Sequence, residues 1–378
     1  MKVKRRKSDI ILKMLKPFAS IWMFMDTTTK KTTEVDYKRK EPFVLLGNHV
    51  YMFDVVSLAF PWKITPTIVA SEFLLSLKGL KFLLNNVARV IPKSKGAADI
   101  RTAKGLIRNV KQGYPVMIMP EGDSTYFGET GYIEEATAKL VKKLNVDVVV
   151  GLFRGGSLAK PRWATGKRRK RYVELHYKIA IHKEDIPNMT EDEIYAVLKK
   201  ELYNNDYEWQ REVMHPYGGK NLAEGLDTIL YKCPDCGALN SIETSKNRLN
   251  CTACGINGYI DKFGFIQGFK YDNLVEWDHF QKEYADELRS SKFSSTAEII
   301  VVDTASNERT KPQSVSVAYH DGSIFVKGKV VEEFKLSEIT NPVLTMRRNL
   351  SFEHEGKTYM IYLDRLAMSF LRACQSKY

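Results

Sequence analysis

The chain has 378 residues, which is enough for two or three domains. Hydrophobic residues make up 44% of it and charged residues 27%, values that are ordinary for a globular protein and exclude the compositionally biased classes. The net charge of +13 suits an anionic partner, such as nucleic acid, anionic lipid or a substrate that carries phosphate or coenzyme A, but it does not choose among them.

The N-terminal segment, residues 1–30, is basic and amphipathic. Apolar and aromatic residues fill positions 10–25, but Lys13, Lys16 and Pro17 interrupt them, and the stretch is short for a transmembrane helix. We predict a helix that lies in the membrane interface. The alternative is a helix packed on its own domain, with a solvated basic tail. We expect no secretory signal peptide, because no small-residue cleavage site follows the apolar residues.

Residues 31–215 alternate between strand-like and helix-like segments, which predicts an α/β domain with a mostly parallel sheet flanked by helices. The predicted strands are 43–46, 67–70, 87–91, 116–119, 146–153 and 172–179. The predicted helices are 72–84, 97–111, 134–144 and 191–202. Thr190 and Glu193 form a capping box for the last helix. The alternation is lost after residue 205, so we interpret residues 206–230 as a linker.

A histidine and an aspartate follow the first predicted strand. Gly47 and Asn48 break the apolar run, which places His49 at a strand end, where binding and catalytic sites are often built. Asp54 comes five residues later, and its carboxylate reaches the imidazole if the chain turns back into a helix. Such a pair can activate a hydroxyl, since the anion fixes the tautomer of a base whose pKa is near neutrality. By itself, the pattern also fits a structural histidine beside an unrelated helix-capping aspartate.

Two further strand ends carry polar residues. The strand 116–119 ends in Pro120-Glu121-Gly122, where proline cannot continue the ladder and glycine lets the backbone approach a ligand. Backbone N–H groups at such a turn suit a phosphate, although Pro-Glu-Gly alone is also a common turn. Lys93 and Lys95 follow the strand 87–91 and would attract a phosphate at the same sheet edge, although single lysines are most often solvated.

In this order, the motifs resemble those of the lysophospholipid acyltransferase family, typified by the 1-acyl-glycerol-3-phosphate acyltransferases. The resemblance covers about residues 40–205, and the matching blocks are 48–54, 90–93, 119–122 and 148–152. It implies a glycerolipid acyltransferase-like sheet, with His49 and Asp54 as the catalytic residues. It also implies contacts with the substrate from Asn48, Lys93, Glu121 and Gly122.

The resemblance further implies a reaction. A fatty acyl group moves from acyl-CoA or acyl carrier protein to a hydroxyl of a lysophospholipid, foremost 1-acyl-glycerol-3-phosphate, in phospholipid biosynthesis. His49 takes the hydroxyl proton, and the oxygen attacks the thioester directly, so no catalytic cofactor is needed. The implied location is the cytoplasmic face of the cell membrane, with the protein bound to the membrane surface as a peripheral or monotopic protein.

Three sites depart from the family pattern. Lys93 replaces the usual arginine and loses the bidentate geometry that arginine offers to a phosphate. Asp123-Ser124 stands where Thr-Arg is usual, which removes another cation, and Gly151 stands where a proline is usual. The positive charge could instead come from Arg154, Arg162 or the basic run 167–171, although most such runs are solvated.

Four of the five cysteines form two Cys-x2-Cys pairs, each followed by glycine, with fourteen residues between the pairs. The spacing predicts that residues 216–262 form a zinc ribbon in a reducing compartment. Such a closed site is structural and has no catalytic role. Its ligands are Cys233, Cys236, Cys251 and Cys254. An iron centre of the rubredoxin type, a redox pair or four free thiols are the alternatives. Cys374 has no partner in the pattern, and we interpret it as a packed helix residue.

Residues 263–378 are predicted to form a β-rich domain that ends in a helix over 366–374. Its predicted strands are 297–302, 314–319, 323–326, 330–334, 350–354 and 358–363. The succession of strands and a terminal helix resembles a pleckstrin-homology-like or GRAM-like barrel, although no specific motif supports this resemblance.

Two other functions fit parts of the sequence. The zinc ribbon and the net charge suggest a nucleic-acid-binding protein, but the basic residues are scattered and no base-stacking motif is present, so we expect no nucleic acid partner. A catalytically silent lipid-binding adaptor could share the fold, but the intact His49 and Asp54 argue against it.

Overall fold

The computed structural model describes residues 11, 14, 16–18, 21, 27–51, 54–71, 90–93, 100–168, 171–306, 308–328 and 331–375. The chain forms two compact units. The first unit is Met1–Lys160 with Lys170–Val213, and the second is Pro161–Arg169 with Met214–Tyr378. The predicted boundaries after residues 30, 215 and 262 stay a prediction.

Seven strands in the described part of the first unit form one sheet, in the order β1-β8-β6-β2-β5-β3-β4. The strands are β1 (Thr28–Thr33), β2 (Phe43–Gly47), β3 (Thr67–Ser71), β4 (Val90–Lys93), β5 (Val116–Ile118), β6 (Asp147–Arg154) and β8 (Tyr172–Ile181), while β7 (Lys167–Arg168) belongs to the second unit. Strands β6, β2, β5, β3 and β4 are parallel. Strand β8 is antiparallel to β6 and parallel to β1. The predicted α/β class with a parallel-rich sheet is confirmed.

Helices accompany this sheet. They are α1 (Asp54–Ala59), α2 (Ile100–Lys111), α3 (Ala136–Leu144), α4 (Gly156–Ala159), α5 (Glu191–Leu202) and α6 (Asp206–Val213), with a 3-10 turn at Ile186–Asn188. Helix α5 begins at the expected capping box, since the hydroxyl of Thr190 accepts a hydrogen bond from the N–H of Glu193 at 3.2 Å. The predicted helix 72–84 and the start of the predicted helix 97–111 lie outside the described residues.

Two elements of the first unit differ from the sequence interpretation. Residues 206–213 form α6 and are not a linker, because Tyr207, Trp209 and Gln210 give this otherwise polar segment a buried face. Strand β1 has the sequence Thr-Thr-Lys-Lys-Thr-Thr and no apolar pattern. Without β1, strand β8 would be the edge of the sheet, and its free backbone groups pair with β1 in parallel. Side-chain patterning does not reveal such a pairing.

The centre of the sheet is the core of the first unit. All five residues of β2 are buried. Val44 and Leu46 pack in one cluster with valines of β5 and β6 and with apolar residues of α2, α3 and α5. Because β2 lies between β5 and β6, the residues that follow Gly47 emerge from the middle of the sheet. Loops at the carboxyl ends of parallel strands commonly form the binding or catalytic site in α/β proteins.

The N-terminal segment lies mostly outside the described residues. Of its apolar residues, Ile11, Met14, Phe18 and Ile21 are described, and their side chains are exposed. Among the described helices, none has the length and apolarity that a membrane crossing requires. The interfacial helix therefore stays a prediction.

The second unit consists of three sheets and three helices among its described residues. Strand β7 pairs with β9 (Gly219–Lys220). A four-stranded antiparallel sheet follows a 3-10 turn at Leu226–Thr228, and its strands are β10 (Ile242–Ser245), β11 (Arg248–Cys251), β12 (Asn257–Ile260) and β13 (Ile266–Gln267). The helices α7 (Leu274–Glu283) and α8 (Ala285–Arg289) come next.

A seven-stranded antiparallel sheet completes the second unit, in the order β17-β16-β15-β14-β20-β19-β18. Its strands are β14 (Phe293–Asp303), β15 (Gln313–His320), β16 (Ser323–Lys327), β17 (Val331–Lys335), β18 (Thr340–Thr345), β19 (Asn349–His354) and β20 (Lys357–Leu363), and helix α9 (Ala367–Cys374) follows. The β-rich C-terminal region with a terminal helix is confirmed. Strand β18 was not predicted, because its sequence Thr-Asn-Pro-Val-Leu-Thr has little alternation. The likeness to a pleckstrin-homology or GRAM barrel stays a prediction.

Candidate active site

His49 and Asp54 meet where the chain leaves β2 and enters α1. The Nδ1 atom of His49 lies 2.8 Å from Oδ2 of Asp54, as the sequence predicts. The His49 side chain is 21% exposed, whereas that of Asp54 is completely buried. Within the part of the chain that the structure describes, no group forms a hydrogen bond with Nε2 of His49. The imidazole is thus held at one nitrogen and reachable at the other.

The carboxylate of Asp54 is fixed by the backbone of the turn that it closes. Its Oδ2 atom accepts hydrogen bonds from the N–H groups of Val50 at 2.7 Å and Tyr51 at 3.1 Å, and Oδ1 accepts one from Val55 at 2.6 Å. Charged acceptors with several backbone donors are strongly ordered. The turn therefore presents the carboxylate to His49 in one orientation, which favours a proton on Nδ1 and leaves Nε2 as the basic nitrogen.

Electrostatic interactions set the basicity of His49. Burial lowers the pKa of His49, but the charge and hydrogen bond of Asp54, together with the charges of Asp123 and Glu121, raise it more, so the pKa of His49 lies above its ordinary value. A raised pKa strengthens the imidazole as a proton acceptor.

Glu121 connects the Pro-Glu-Gly turn to the backbone of His49. Its Oε1 atom accepts a hydrogen bond from the N–H of His49 at 2.6 Å, and Oε2 accepts one from the N–H of Gly131 at 2.6 Å. Thr125 adds a second link, because its N–H donates to the carbonyl of His49 at 2.9 Å. Burial raises the pKa of Glu121 to about 7, against the two backbone donors, which lower it. These bonds give Glu121 a positioning role, and its predicted contact with the substrate stays a prediction.

Asn48 joins the end of β2 to β6. Its amide nitrogen donates to the carbonyl of Phe153 at 2.9 Å, and its amide oxygen accepts a hydrogen bond from the N–H of the same residue at 2.8 Å. The side chain is almost completely buried. Asn48 thus fixes the backbone next to His49, and its predicted substrate contact stays a prediction.

Two paired glycines let α1 approach the sheet. Gly47 on β2 lies opposite Gly151 on β6, and Leu58 of α1 packs over both. A Cβ atom on Gly47 would lie 2.5 Å from Cδ2 of Leu58, and one on Gly151 would overlap with Cδ1 of the same leucine. This close approach gives a physical reason for glycine at position 151, and it sets the position of the helix that begins with Asp54.

Asp206 is a positioning residue that the sequence interpretation missed. It is fully buried at the start of α6, and its carboxylate accepts hydrogen bonds from the N–H of Gly155 at 2.6 Å, from the N–H and hydroxyl of Ser157 at 2.8 and 2.6 Å, and from Asn204 at 2.7 Å. Burial raises the pKa of Asp206 in spite of these donors. The turn that it holds includes Gly156, against which Val50 packs. The available signal in the sequence was Asn204-Asn205-Asp206, a run of residues that is typical of a helix start.

The remaining predicted substrate residues are less defined. Gly122 has a φ of +73° and its N–H donates to the carbonyl of Met119 at 3.1 Å, so glycine suits this tight turn. Lys93 ends β4, but its side chain lies outside the described residues, as do those of residues 167–170. The guanidinium of Arg162 donates to the carbonyls of Leu344 and Met346 within the second unit. The predicted contacts of Lys93 and Gly122 with the substrate stay a prediction.

The second unit brings together the four cysteines of the predicted zinc site. The sulfur atoms of Cys233, Cys236, Cys251 and Cys254 all lie within 4.8 Å of one another. Cys374 is buried in α9 as predicted and is not part of this cluster.

One comparison with known proteins concerns the first unit. Residues 26–151, about a third of the chain, match the family model described as Acyltransferase. The match includes His49, Asp54, Glu121 and their strands, and it supports an acyltransferase class for this part of the chain.

A crystal structure similar to this chain is that of the 1-acyl-sn-glycerophosphate (LPA) acyltransferase, PlsC, from Thermotoga maritima. The two share 15% sequence identity over 55% of this chain and 82% of that chain, with a TM-score of 0.45. The search of curated proteins gives no match.

Proposed function

We propose that the protein transfers a fatty acyl group from acyl-CoA or acyl carrier protein to a hydroxyl of a lysophospholipid, with 1-acyl-glycerol-3-phosphate as the foremost acceptor. The observation that carries the proposal is the hydrogen bond of 2.8 Å between His49 and the buried Asp54. The Acyltransferase match over residues 26–151 supports the same class of reaction. A catalytically silent lipid-binding adaptor would not need His49 and Asp54 in this arrangement.

The proposed mechanism uses the imidazole as a general base. Nε2 of His49 accepts the proton of the acceptor hydroxyl while its oxygen attacks the carbonyl carbon of the thioester. The C–S bond then breaks, the ester forms, and the imidazolium returns its proton to the leaving thiolate. Asp54 holds the tautomer and stabilises the transient positive charge on His49. No covalent acyl-enzyme is formed.

The phosphate of the acceptor needs positive charge or N–H donors. The net charge of +13 suits this requirement. Strand β4, which pairs in parallel with β3, ends in Lys93. A lysine supplies charge without bidentate geometry. We therefore propose a phosphorylated acceptor and expect a weaker preference for phosphate than an arginine at this position would give.

We also propose that the reaction takes place at the cytoplasmic face of the cell membrane, where the lysophospholipid resides. The exposed side chains of Ile11, Met14, Phe18 and Ile21 support contact with lipid. Vesicle flotation of the full chain, compared with a variant in which Phe18 and Ile21 are both changed to serine, tests this contact. Equal flotation of the two proteins would contradict it.

The central experiment measures product and free thiol together. The purified full chain is incubated with acyl-CoA or acyl carrier protein and with lysophosphatidate, and the diacyl product and the released thiol should appear in equal amounts. Lysophosphatidylcholine as the acceptor tests the preference for an accessible phosphate monoester. Salt-sensitive binding of nucleic acid without acyl transfer would support the nucleic-acid-binding alternative.

A second histidine–carboxylate pair, His176 and Glu34, provides a matched control for His49 and Asp54. His176 Nε2 lies 3.0 Å from Glu34, and the side chains are 39% and 66% exposed. We expect His49→Ala to lower turnover by roughly 10²–10⁴-fold, the usual contribution of a general base, while His176→Ala keeps the wild-type rate. Near-wild-type turnover in a folded His49→Ala variant would refute the mechanism.

A further inference from the structure

We propose that Cys233, Cys236, Cys251 and Cys254 bind one Zn²⁺ ion as four thiolates, and that this ion stabilises the fold of the second unit. The proposal is independent of acyl transfer, since all four ligands lie outside the first unit. The site has a structural task, because four protein ligands leave no position for a substrate or a water molecule.

The spacing of the sulfur atoms fits a single tetrahedral ion. Zinc binds thiolates at about 2.3 Å, so four ligands at tetrahedral corners lie about 3.8 Å apart. The sulfurs of Cys236 and Cys251, which come from different pairs, are separated by 3.7 Å. All four lie within 4.8 Å of one another, without any disulfide.

The two cysteine pairs have the same backbone shape. In each, the glycine after the second cysteine has a positive φ, +76° at Gly237 and +78° at Gly255. The N–H of each glycine donates to the carbonyl of the first cysteine, at 2.9 Å to Cys233 and 3.0 Å to Cys251. Each first cysteine in turn donates its own N–H to the carbonyl five residues later. This repeated turn folds two chain segments around one point.

Hydrogen-bond donors surround the sulfur atoms. The sulfur of Cys233 accepts from the backbone N–H groups of Asp235 and Cys236, and that of Cys251 accepts from those of Ala253 and Cys254. The thiol of Cys251 donates to the hydroxyl oxygen of Ser241 at 3.2 Å, and as a thiolate the sulfur can accept from that hydroxyl instead. Donors of this kind orient thiolate ligands and spread their negative charge.

A buried cation lies beside the cluster. Four thiolates and one Zn²⁺ carry a net charge of −2, which a nearby positive charge stabilises. Lys232 precedes the first ligand, and its side chain is only 4% exposed. Its ammonium lies 3.9 Å from the position that a Cβ atom on Gly237 would take, and 4.2 Å from the centre of the Tyr284 ring. It also pairs with Glu287 at 2.5 Å, so that carboxylate balances part of its charge.

The cysteine turns are tied to the helices of the second unit. The indole of Trp277 in α7 donates to the carbonyl of Lys232 at 2.9 Å, and Gln281 bonds to the backbone of Ile229 and Tyr231. From α9, the hydroxyl of Ser369 donates to Asn240, between the two pairs, at 2.7 Å. A metal that locks the turns therefore also orders the surfaces on which α7 and α9 pack.

Zinc is favoured over iron on chemical grounds. Both ions accept four thiolates, but iron in such a site serves electron transfer. An ion without redox chemistry is sufficient for a site that stabilises a fold.

The first measurement is the metal content of the full chain purified without chelators. We expect one zinc per chain, released in step with thiol modification by a mercurial. Stoichiometric iron with an absorption band in the visible range would overturn the assignment to zinc, and less than half an equivalent of any metal would overturn the site itself.

Matched cysteine variants locate the ion. We expect Cys236→Ser and Cys254→Ser to lose most of the zinc, whereas Cys374→Ser, which removes the one cysteine outside the cluster, keeps all of it. Cys254→His should retain zinc because a Cys3His set also binds this ion. Full zinc content in either serine variant, or loss of zinc in Cys374→Ser, would contradict the proposed ligands.

Hydrogen exchange tests the structural role without relying on variants that fail to fold. After zinc is removed from the wild-type chain by a chelator, we expect peptides covering 229–283 and 365–375 to lose protection by at least tenfold. Peptides covering 116–154 in the first unit should be unchanged, and added zinc should restore the protection. Unchanged exchange at 229–283 in metal-free protein would show that the ion does not stabilise the fold.

Discussion

The backbone N–H of His49 donates to Oε1 of Glu121 at 2.6 Å, although 72 residues separate the two in the chain. The same carboxylate holds the loop at Gly131. The turn after β5 therefore fixes the base that follows β2. Since a hydroxyl attacks only when the base is correctly placed, this bond connects the two main sequence motifs in a physical way.

The first prediction concerns the partner of the base. Asp54→Asn replaces an anion by a neutral amide, in which one of the two accepting oxygens becomes an NH2 donor that faces the N–H donors of the turn. We expect turnover to fall by roughly 10²–10⁴-fold, because the histidine tautomer is no longer fixed and the imidazolium is not stabilised. Steady-state rates with saturating acyl donor, together with circular dichroism to confirm folding, measure the effect. A folded variant with the wild-type rate would show that Asp54 has no part in the reaction.

The second prediction concerns pH. The active form of His49 is neutral, so activity should rise as the pH rises through the pKa of His49. Because this pKa is raised, the rise in activity should occur at a higher pH than for an ordinary histidine. Asp54→Asn removes the charge that most strongly raises the pKa of His49 against the effect of burial. The rise of the residual activity with pH should therefore move to lower pH. The pH profile of kcat/KM for both proteins checks the direction. A shift to higher pH in the variant would contradict the assigned base.

The same shift has a consequence for stability. The folded-state pKa of His49 lies above the unfolded value, so its protonation stabilises the folded chain at low pH. This contribution is lost as the pH rises through the folded-state pKa. Urea unfolding of wild type and His49→Ala at several pH values should therefore differ most on the acidic side.

The third prediction concerns Glu121. Glu121→Gln keeps the shape but places an amide donor against one of two backbone donors, from His49 or from Gly131. We expect kcat to fall by about 100-fold, in line with a small displacement of the base, and KM for both substrates to change little. Glu134→Gln, an exposed change in the same segment, should leave both constants unaltered. A large rise in KM for the acceptor with an unchanged kcat would instead favour direct binding of the substrate.

Glu121 also gives a stability test. Burial raises its pKa from 4.5 to about 7, so the folded chain retains this proton at pH values where the unfolded chain has lost it. The stability contributed by Glu121 should therefore fall as the pH rises between about 4.5 and about 7. In Glu121→Gln, this fall in the free energy of unfolding should be smaller than in the wild type.

The fourth prediction concerns the glycines under α1. Gly151→Ala adds a methyl group where Leu58 already lies, and we expect a loss of 1–3 kcal/mol in stability, roughly the usual result of overpacking a core. Activity should fall as well, because α1 carries Asp54. In the double variant with Leu58→Ala, the total loss of stability should be smaller than the sum of the two single losses. If the double variant is less stable than the two single effects together, the steric explanation is wrong.

The fifth prediction concerns Asp206. Asp206→Ala leaves buried donors at Gly155, Ser157 and Asn204 without their acceptor, and we expect about 3 kcal/mol of destabilisation. The loop that packs on Val50 should loosen, so turnover should fall while the pH profile keeps its shape. Urea unfolding and kcat/KM profiles distinguish this role from a chemical one. A displaced acid limb would mean that Asp206 acts on the base itself.

Strong local signals in the sequence were enough to predict several elements. The apolar runs around β2, β5 and β6 predicted the parallel-rich sheet, and the capping box at Thr190 predicted the start of α5. The proximity of His49 and Asp54 also followed from the sequence, because a strand end and a helix start only five residues apart leave few backbone paths. The spacing of the cysteine pairs likewise predicted that the four sulfurs would meet.

The support that distant segments give to His49 and Asp54 is visible only in the folded chain. The positioning roles of Glu121, Asn48 and Asp206 do not follow from side-chain patterns, because these roles depend on backbone groups far away in the chain, at His49, Phe153 and Gly155. Strand β1 and helix α6 were missed for a related reason: an edge pairing and a buried face depend on what packs against them. Local periodicity describes a segment, whereas hydrogen bonds between segments exist only once the chain has folded.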